Sequence, residues 1–411
     1  MDFEIESTIR RITVDELEPG MFVHDLNCGW LDHPFLFNRF RVEDEGQIAK
    51  IRAHGIRELY IDPARGRDVP HAPTAKEVQT EFKRRIRTLA EVREEVAAAR
   101  PVSIEDELPR AGNLHRSALE SVRNFFGSLR HGEVVGLNAL TPAVEQLVGS
   151  VRRQPDALIP LTRRKNFDSY ACEHSVASAA LMTAFGERLK LPPESLRELA
   201  LGALLQDAGM VTIPEHLLGK TGRLSEVEYS LITAHVNRGS ELLHEAGALP
   251  AASREVIIHH HERLDGSGYP KRLSGDEISL HGQMAAVVDV YDALISERPH
   301  HQALIPTLAL QRLYEWSQHH FSRKLVLQFI RTVGIYPVGS LVRMKSGYLG
   351  VVVDQHETEL LRPRVRLFFN PEKNLYIRPY IIRVGFAGGA AHGPIASAES
   401  WSRWKLDPAR S

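Results

Sequence analysis

Cysteine is nearly absent: Cys28 and Cys172 are the only two in 411 residues. Two thiols cannot build a disulfide framework, and they suit a reducing cytosol. Net charge is lacking too, since 51 Lys and Arg meet 52 Asp and Glu for a formal charge of −1. No global field therefore draws the chain to nucleic acid or to a membrane surface, and a nucleotide ligand has to be held by local charge. No apolar run approaches the roughly 18 residues that span a bilayer. The opening "MDFEIESTIRR" lacks the charged-then-apolar order of a secretory signal. No internal repeat is visible. A cytoplasmic protein without membrane insertion or a nucleic-acid partner is the expectation.

What is present is ordinary for a globular chain: 43% apolar and 25% charged residues. The length allows two to three domains and at least one large core. Residues 1–70 read as a small α/β unit, with strand character in "GMFVHDL" and "RELYID" and helical spacing in "VEDEGQIAKIRAHGI". Residues 71–155 begin with the highly charged "TAKEVQTEFKRRIRTLAEVREEVAAAR", broken at Pro101, and read as a solvated helical linker with further helices near 114–131 and 139–152. From 156 to 333, helix follows helix with apolar residues three and four apart. Residues 334–386 alternate and are rich in Val, Ile and Tyr, the pattern of a small β-rich cap. The Gly-, Ala- and Ser-rich residues 387–411 read as a loose tail. The fold class expected is mainly α, a helical core flanked by a small α/β domain and a β-rich cap. With no ligand cluster, the first unit is expected to serve regulation or assembly.

Chemistry concentrates in the helical stretch. His174 in "CEHSVASAALM", Asp207 in "LLQDAGMVTIP", His235 in "LITAHVNRGSELL", His260 and His261 in "VIIHHHERLDGSGYP", and Asp289 in "AAVVDVYDAL" stand at the apolar edges of successive helices. One such histidine is more often a satisfied core residue than a ligand. Six groups in one pattern are harder to explain that way, because unpaired carboxylates in apolar segments are costly and cations among them remove the cost. Mixed imidazole and carboxylate donors suit iron, manganese or zinc. Two such cations about 3.5–4 Å apart with a bridging carboxylate are the usual apparatus of phosphodiester hydrolysis. In "DGSGYP", Gly266 and Gly268 give the backbone freedom and Pro270 stiffens the exit. The loop reads equally as a plain turn or as a platform presenting Tyr269 to a nucleobase or phosphate.

"HHERLDGSGYP" together with "VVDVYDALISERP" resembles the HD-GYP family of bacterial metal-dependent phosphodiesterases that hydrolyse cyclic di-GMP, over roughly 160–330. Residues 9–62 also resemble a small domain that precedes many members. The resemblance implies an all-helical HD-type core and metal ligands at His174, Gln206, Asp207, His235, His260, His261 and Asp289. Iron or manganese is implied, one or two per chain. It places Tyr269 and Gly268 at the substrate, and Asp207 and Arg298 in catalysis, with Arg298 meeting a substrate phosphate. Cyclic di-GMP, and other proteins of its signalling system, are the implied partners.

The chain departs from the family pattern at four positions. Gln206 replaces the first histidine of the HD pair, Met210 replaces a lysine near the phosphate, and Gln283 and His301 replace basic residues. Tyr170 stands where some members carry a glutamate for a third metal. Two readings remain open: a phosphodiesterase of weakened activity, and a degenerate module that binds cyclic di-GMP or a signalling partner without turnover. Hydrolysis of another phosphorylated nucleotide is a third.

Overall fold

Four short strands, Arg10–Thr13 (β1), Phe22–Asp25 (β2), Phe40–Arg41 (β3) and Glu58–Ile61 (β4), form an antiparallel sheet in the order β1-β4-β2-β3. These elements come from a computed structural model that describes residues 8–28, 39–91, 102–161, 170–220, 224–297, 303–355 and 359–406. Helix α1 (Glu45–Ala53) starts where the Asp44 carboxylate accepts from the Gln47 amide at 2.8 Å. It lays Ile48 and Ile51 on Val23, Leu59 and Ile61 of the sheet. The α/β character expected at this end is what the chain forms.

The stretch expected to be a solvated linker is built into the core instead. Helices α2 (Ala75–Glu91), α3 (Ile104–Arg130) and α4 (Thr141–Arg153) each bury one stripe. On α3 that stripe is Ala111, Leu114, Ala118, Val122, Phe125, Phe126 and Leu129, at three- and four-residue steps. Glu107 on α3 is fully buried, where Arg153 meets it at 2.6 Å and Ser150 Oγ at 2.9 Å. A high count of charges hid the narrow apolar face beneath them. A truncation at residue 155 would therefore strip three helices from the core.

The central body comprises α5 (Tyr170–Arg188), α6 (Pro193–Leu205), α7 (Glu215–Leu218), α8 (Glu226–Thr233), α9 (His235–Ala246), α10 (Ala251–His259), α11 (Leu280–Leu294), α12 (Pro306–Trp316) and α13 (Arg323–Val333). Helix α5 is buried all round from Glu173 to Gly186. Its small residues, Ala177, Ala179, Ala180 and Ala184, let the neighbouring helices close around it. None of the described helices is long and apolar enough to cross a membrane.

The N-terminal sheet docks on α12 through buried and half-buried polar groups. Arg312 pairs with Asp25 and bonds Asn27, Trp316 Nε1 donates to Asn27 Oδ1 at 3.1 Å, and Tyr60 donates to Glu315 at 2.9 Å.

At the other end, β5 (Leu341–Met344), β6 (Leu349–Asp354), β7 (Arg364–Asn370), β8 (Leu375–Arg383) and β9 (Ile395–Glu399) form an antiparallel sheet in the order β8-β7-β6-β5-β9. Strand β9 comes from the tail expected to be loose. It pairs with β5, and the short helix α14 (Trp401–Trp404) sets Trp401 flat on Phe368 at 5.9 Å. The two tryptophans cover a sheet face that would otherwise expose Leu341, Leu349 and Phe369. Composition gave the tail a disordered look, while its burial comes from partners far away in sequence.

Candidate metal centre

Asp207 reaches its place because the chain turns sharply after α6. That helix buries Leu196, Leu199, Ala200, Ala203, Leu204 and Leu205, and a 3-10 turn, Ala208–Thr212, follows at once. The turn crosses α9 in backbone contact at Gly209. A methyl group there would sit 1.9 Å from the His235 carbonyl oxygen and 2.6 Å from the Gly239 nitrogen. The crossing sets Asp207 beside His235, the first residue of α9. Gly209→Ala is expected to force these segments apart, costing about 3 kcal/mol by the usual penalty for overpacking. A chemical-denaturation midpoint equal to that of the parent protein would show that the crossing is slack.

The carried-over metal positions converge. The ligating atoms of Asp207, His235, His260 and His261 lie within 4.8 Å of one another. Asp207 faces both ways: Oδ1 lies 3.3 Å from His235 Nε2 and 3.9 Å from His260 Nε2, while Oδ2 lies 3.4 Å from His174 Nε2. Asp289, on α11, spans the other side, with Oδ1 3.0 Å from His174 Nε2 and Oδ2 3.5 Å from His261 Nδ1.

The rings are oriented from behind. His235 Nδ1 lies 2.8 Å from the Ile232 carbonyl, and His260 Nδ1 lies 2.8 Å from that of Ile257. Each thus presents Nε2 to the centre, the arrangement that fixes a metal-ligating imidazole. His174 Nδ1 is held by Asp292 at 2.5 Å. Asp292 escaped the sequence reading, although it follows Asp289 by three residues on one helix face, and that spacing was its signal.

Charge follows from this packing. Burial pushes the Asp207 carboxyl up, but the His235 hydrogen bond and the charges of His174, His235 and His260 hold it well below the carboxylate range. Burial opposes ionisation of Asp289 as well, yet His174 beside it brings it to about 2. For His174, burial disfavours the cation, and bonds to Asp289 and Asp292 still raise it to about 9. His261 is pushed far down by burial and by its neighbours His260 and His235. The donors suit a divalent cation: two ionised carboxylates and several imidazoles aimed at one volume.

Gln206 joins this group in an unusual way. Fully buried, its Nε2 donates to Asp289 Oδ1 at 3.3 Å and lies 3.2 Å from His174 Nε2, while Oε1 has no hydrogen-bond partner. The amide nitrogen thus lies between His174 Nε2 and Asp289 Oδ1.

Tyr269 lies beside the centre, its ring stacked on His261 at 4.6 Å and 30°. Gly268 is a packing position: a methyl group there would be 2.5 Å from the His261 carbonyl oxygen and from Glu262 Cα. Glu262, another buried group the sequence reading passed over, accepts from the amides of Lys271 at 2.8 Å and Leu273 at 3.0 Å, tying down the loop exit. Tyr170 stacks on His174 at 5.9 Å. Gln283 donates to the Ile278 carbonyl at 2.9 Å, and Met210 packs on Ile213, Leu217 and Ile232. Arg298 and His301 lie outside the described residues.

Comparison with known proteins gives two matching families. One, described as an HD domain, matches residues 146–325, and a domain of unknown function (DUF3391) matches residues 9–140. A cyclic di-GMP phosphodiesterase of Pseudomonas aeruginosa is 36% identical over 405 residues, 97% of this chain and 95% of that protein. A cyclic di-GMP phosphodiesterase of Vibrio cholerae is 30% identical over 239 residues, 56% of this chain and 46% of its own length. A 3'3'-cGAMP-specific phosphodiesterase of the same organism is 37% identical over 123 residues, 30% of this chain and 24% of its own.

Proposed function

The chain belongs to the HD-GYP family, and from that premise we propose that it is a metal-dependent phosphodiesterase hydrolysing cyclic di-GMP at the centre around Asp207. The observation that carries the reading is the Asp207 carboxylate, shared between His174 on one side and His235 and His260 on the other. A divalent cation bound there supplies Lewis-acid polarisation of the phosphodiester. Asp207, His235, His260 and His261 would hold the firmer ion. His174, Asp207 and Asp289 would hold a weaker one, because Gln206 offers an amide where an imidazole is usual. Iron or manganese is the proposed metal. Tyr269, stacked on His261, lines the approach and packs on a base or bonds a phosphate. Arg298 is assigned to a substrate phosphate from its motif position alone. Proteins of the same signalling system are proposed partners.

The reading of a module that only binds is the weaker one, since the relative matched almost end to end is named as a phosphodiesterase. The 3'3'-cGAMP-specific relative makes the mixed cyclic dinucleotide the comparison substrate. Metal analysis of anaerobically purified protein, joined to a turnover assay, tests the proposal. At least one metal per chain and release of a linear dinucleotide from cyclic di-GMP are expected. Metal-loaded protein that binds cyclic di-GMP and never cleaves it would put the binding module ahead of the hydrolase reading.

Metal uptake should also expel a proton. With a pKa of about 9, His174 is cationic at pH 7.5 in the metal-free protein, whereas a ligand must offer a lone pair. Occupancy of the position beside His174 therefore strengthens as pH rises toward 9 and weakens as pH falls. Calorimetry of metal binding in buffers of different ionisation enthalpy at pH 7.5 should show close to one proton released per ion at that position. A buffer-independent heat would contradict a charged His174.

A further inference from the structure

The loop that carries Tyr269 is gripped from two sides, and only the inner grip belongs to the helical body. On the inner side, Tyr269 N donates to the His261 carbonyl at 3.2 Å and Glu262 holds the loop exit. The outer side is covered by the N-terminal unit, at the turn between α1 and β4. Gly55 has φ +76°, and a methyl group on it would sit 2.6 Å from Ser267 Cβ. The backbone of the first unit therefore abuts the middle of "DGSGYP" with no room for a side chain.

Two residues on, Arg57 Nε lies 3.8 Å from Asp265 Oδ2, a buried oxygen with no hydrogen-bond partner. The other oxygen, Oδ1, is already engaged by Ser267 Oγ at 2.6 Å, Ser267 N at 3.1 Å and His320 Nδ1 at 3.5 Å. Arg57 is thus a cation opposite the unsatisfied half of the carboxylate that shapes the loop. One residue, Gly268, separates Ser267 from Tyr269, and it is wedged against the His261–Arg263 backbone. A shift at Ser267 has little slack in which to dissipate before it reaches the Tyr269 ring.

We propose that Gly55 and Arg57 are positioning residues for the substrate loop: the N-terminal unit forms its outer wall and sets Tyr269 over His261. The inference rests on the hydrolase reading and adds a role in substrate binding for the first unit, separate from metal binding. Both residues lie away from the cation ligands, so their loss should raise KM for cyclic di-GMP and leave kcat and metal content alone.

The test uses the full chain, metal-loaded, with cyclic di-GMP. Arg57→Glu places two carboxylates face to face, and a rise in KM of about tenfold is expected, with kcat within about twofold of the parent. Arg57→Lys keeps the charge and should restore most of the loss. Gly55→Ala should act like Arg57→Glu, and adding Ser267→Gly removes the atoms the new methyl meets, so the double variant should recover part of the KM. Should Gly55→Ala fail to fold, the half-exposed Arg57 carries the test alone. Unchanged KM in well-folded Arg57→Glu overturns the proposal, as does a parallel fall in metal content and kcat. Parent protein that neither binds nor cleaves the nucleotide overturns the hydrolase reading and this inference with it. Parent turnover with an insensitive KM overturns only the inference.

Discussion

Asp207→Asn is expected to yield a folded protein with neither bound metal nor turnover. The exchange preserves shape and removes one charge, but that charge faces three imidazoles, His174, His235 and His260, within 3.9 Å. An amide presents one oxygen and one N–H pair, so it can serve a cation on one side only, and its nitrogen repels the cation on the other. A single charge-stabilising group typically contributes about 10²–10³ in rate. With Asp207 as the proposed bridge between two cation positions, a fall of at least about 10³ is expected. Metal content by elemental analysis and turnover by product chromatography check the two halves separately. Stoichiometric metal in Asp207→Asn would mean that the histidines alone form the site, and the bridging role assigned to Asp207 would be wrong.

The candidate metal centre was legible in the sequence because its residues sit in motifs whose spacing is local. His260 and His261 are adjacent, and Asp289 stands in an apolar helix where an acid needs a reason. The structure brings these residues together with His174, Asp207 and His235, as the resemblance implied. Asp292 was passed over although its three-residue step from Asp289 marked it, whereas Glu262 acts on a neighbour through its position in space, and a lone Glu near a motif carries no mark of that. The outer parts of the fold were harder. Charged residues on α2 and α3 masked a one-sided apolar stripe. Strand β9 was hidden in a Gly- and Ala-rich tail because its pairing partner, β5, lies some fifty residues before it. The contact between Gly55 and Ser267 joins two segments more than two hundred residues apart, and no composition or period in either one announces it.

Gln206→His is expected to raise cyclic-di-GMP turnover by at least about tenfold. In the present side chain the amide nitrogen bonds Asp289, while His174 is held by Asp289 and Asp292, so both groups have partners without a cation between them. An imidazole of similar volume replaces a donor with a lone pair at a fully buried position, and with His174 and Asp289 it would offer a cation three donors. The second metal should then titrate in at lower concentration than in the parent. Met210→Lys addresses a different term, a positive charge near the scissile phosphate. Met210 is half-buried against Ile213, Leu217 and Ile232, so the lysine stem can cover the same apolar atoms while its ammonium reaches solvent. That charge has little to act on while the outer cation is weakly held, so Met210→Lys alone should do less than Gln206→His. Residues sharing one site are seldom additive, and the double variant should exceed either single one. Tyr269→Ala in the double background should cancel the gain if the loop positions the nucleotide. A repaired protein that holds two metals and cleaves no faster than the parent would show that Gln206 is not what limits the rate. Gln283 would be a poor next suspect, because its side chain is committed to the Ile278 carbonyl. The basic position now held by His301, or the mixed cyclic dinucleotide as the preferred substrate, would then have to account for the rate.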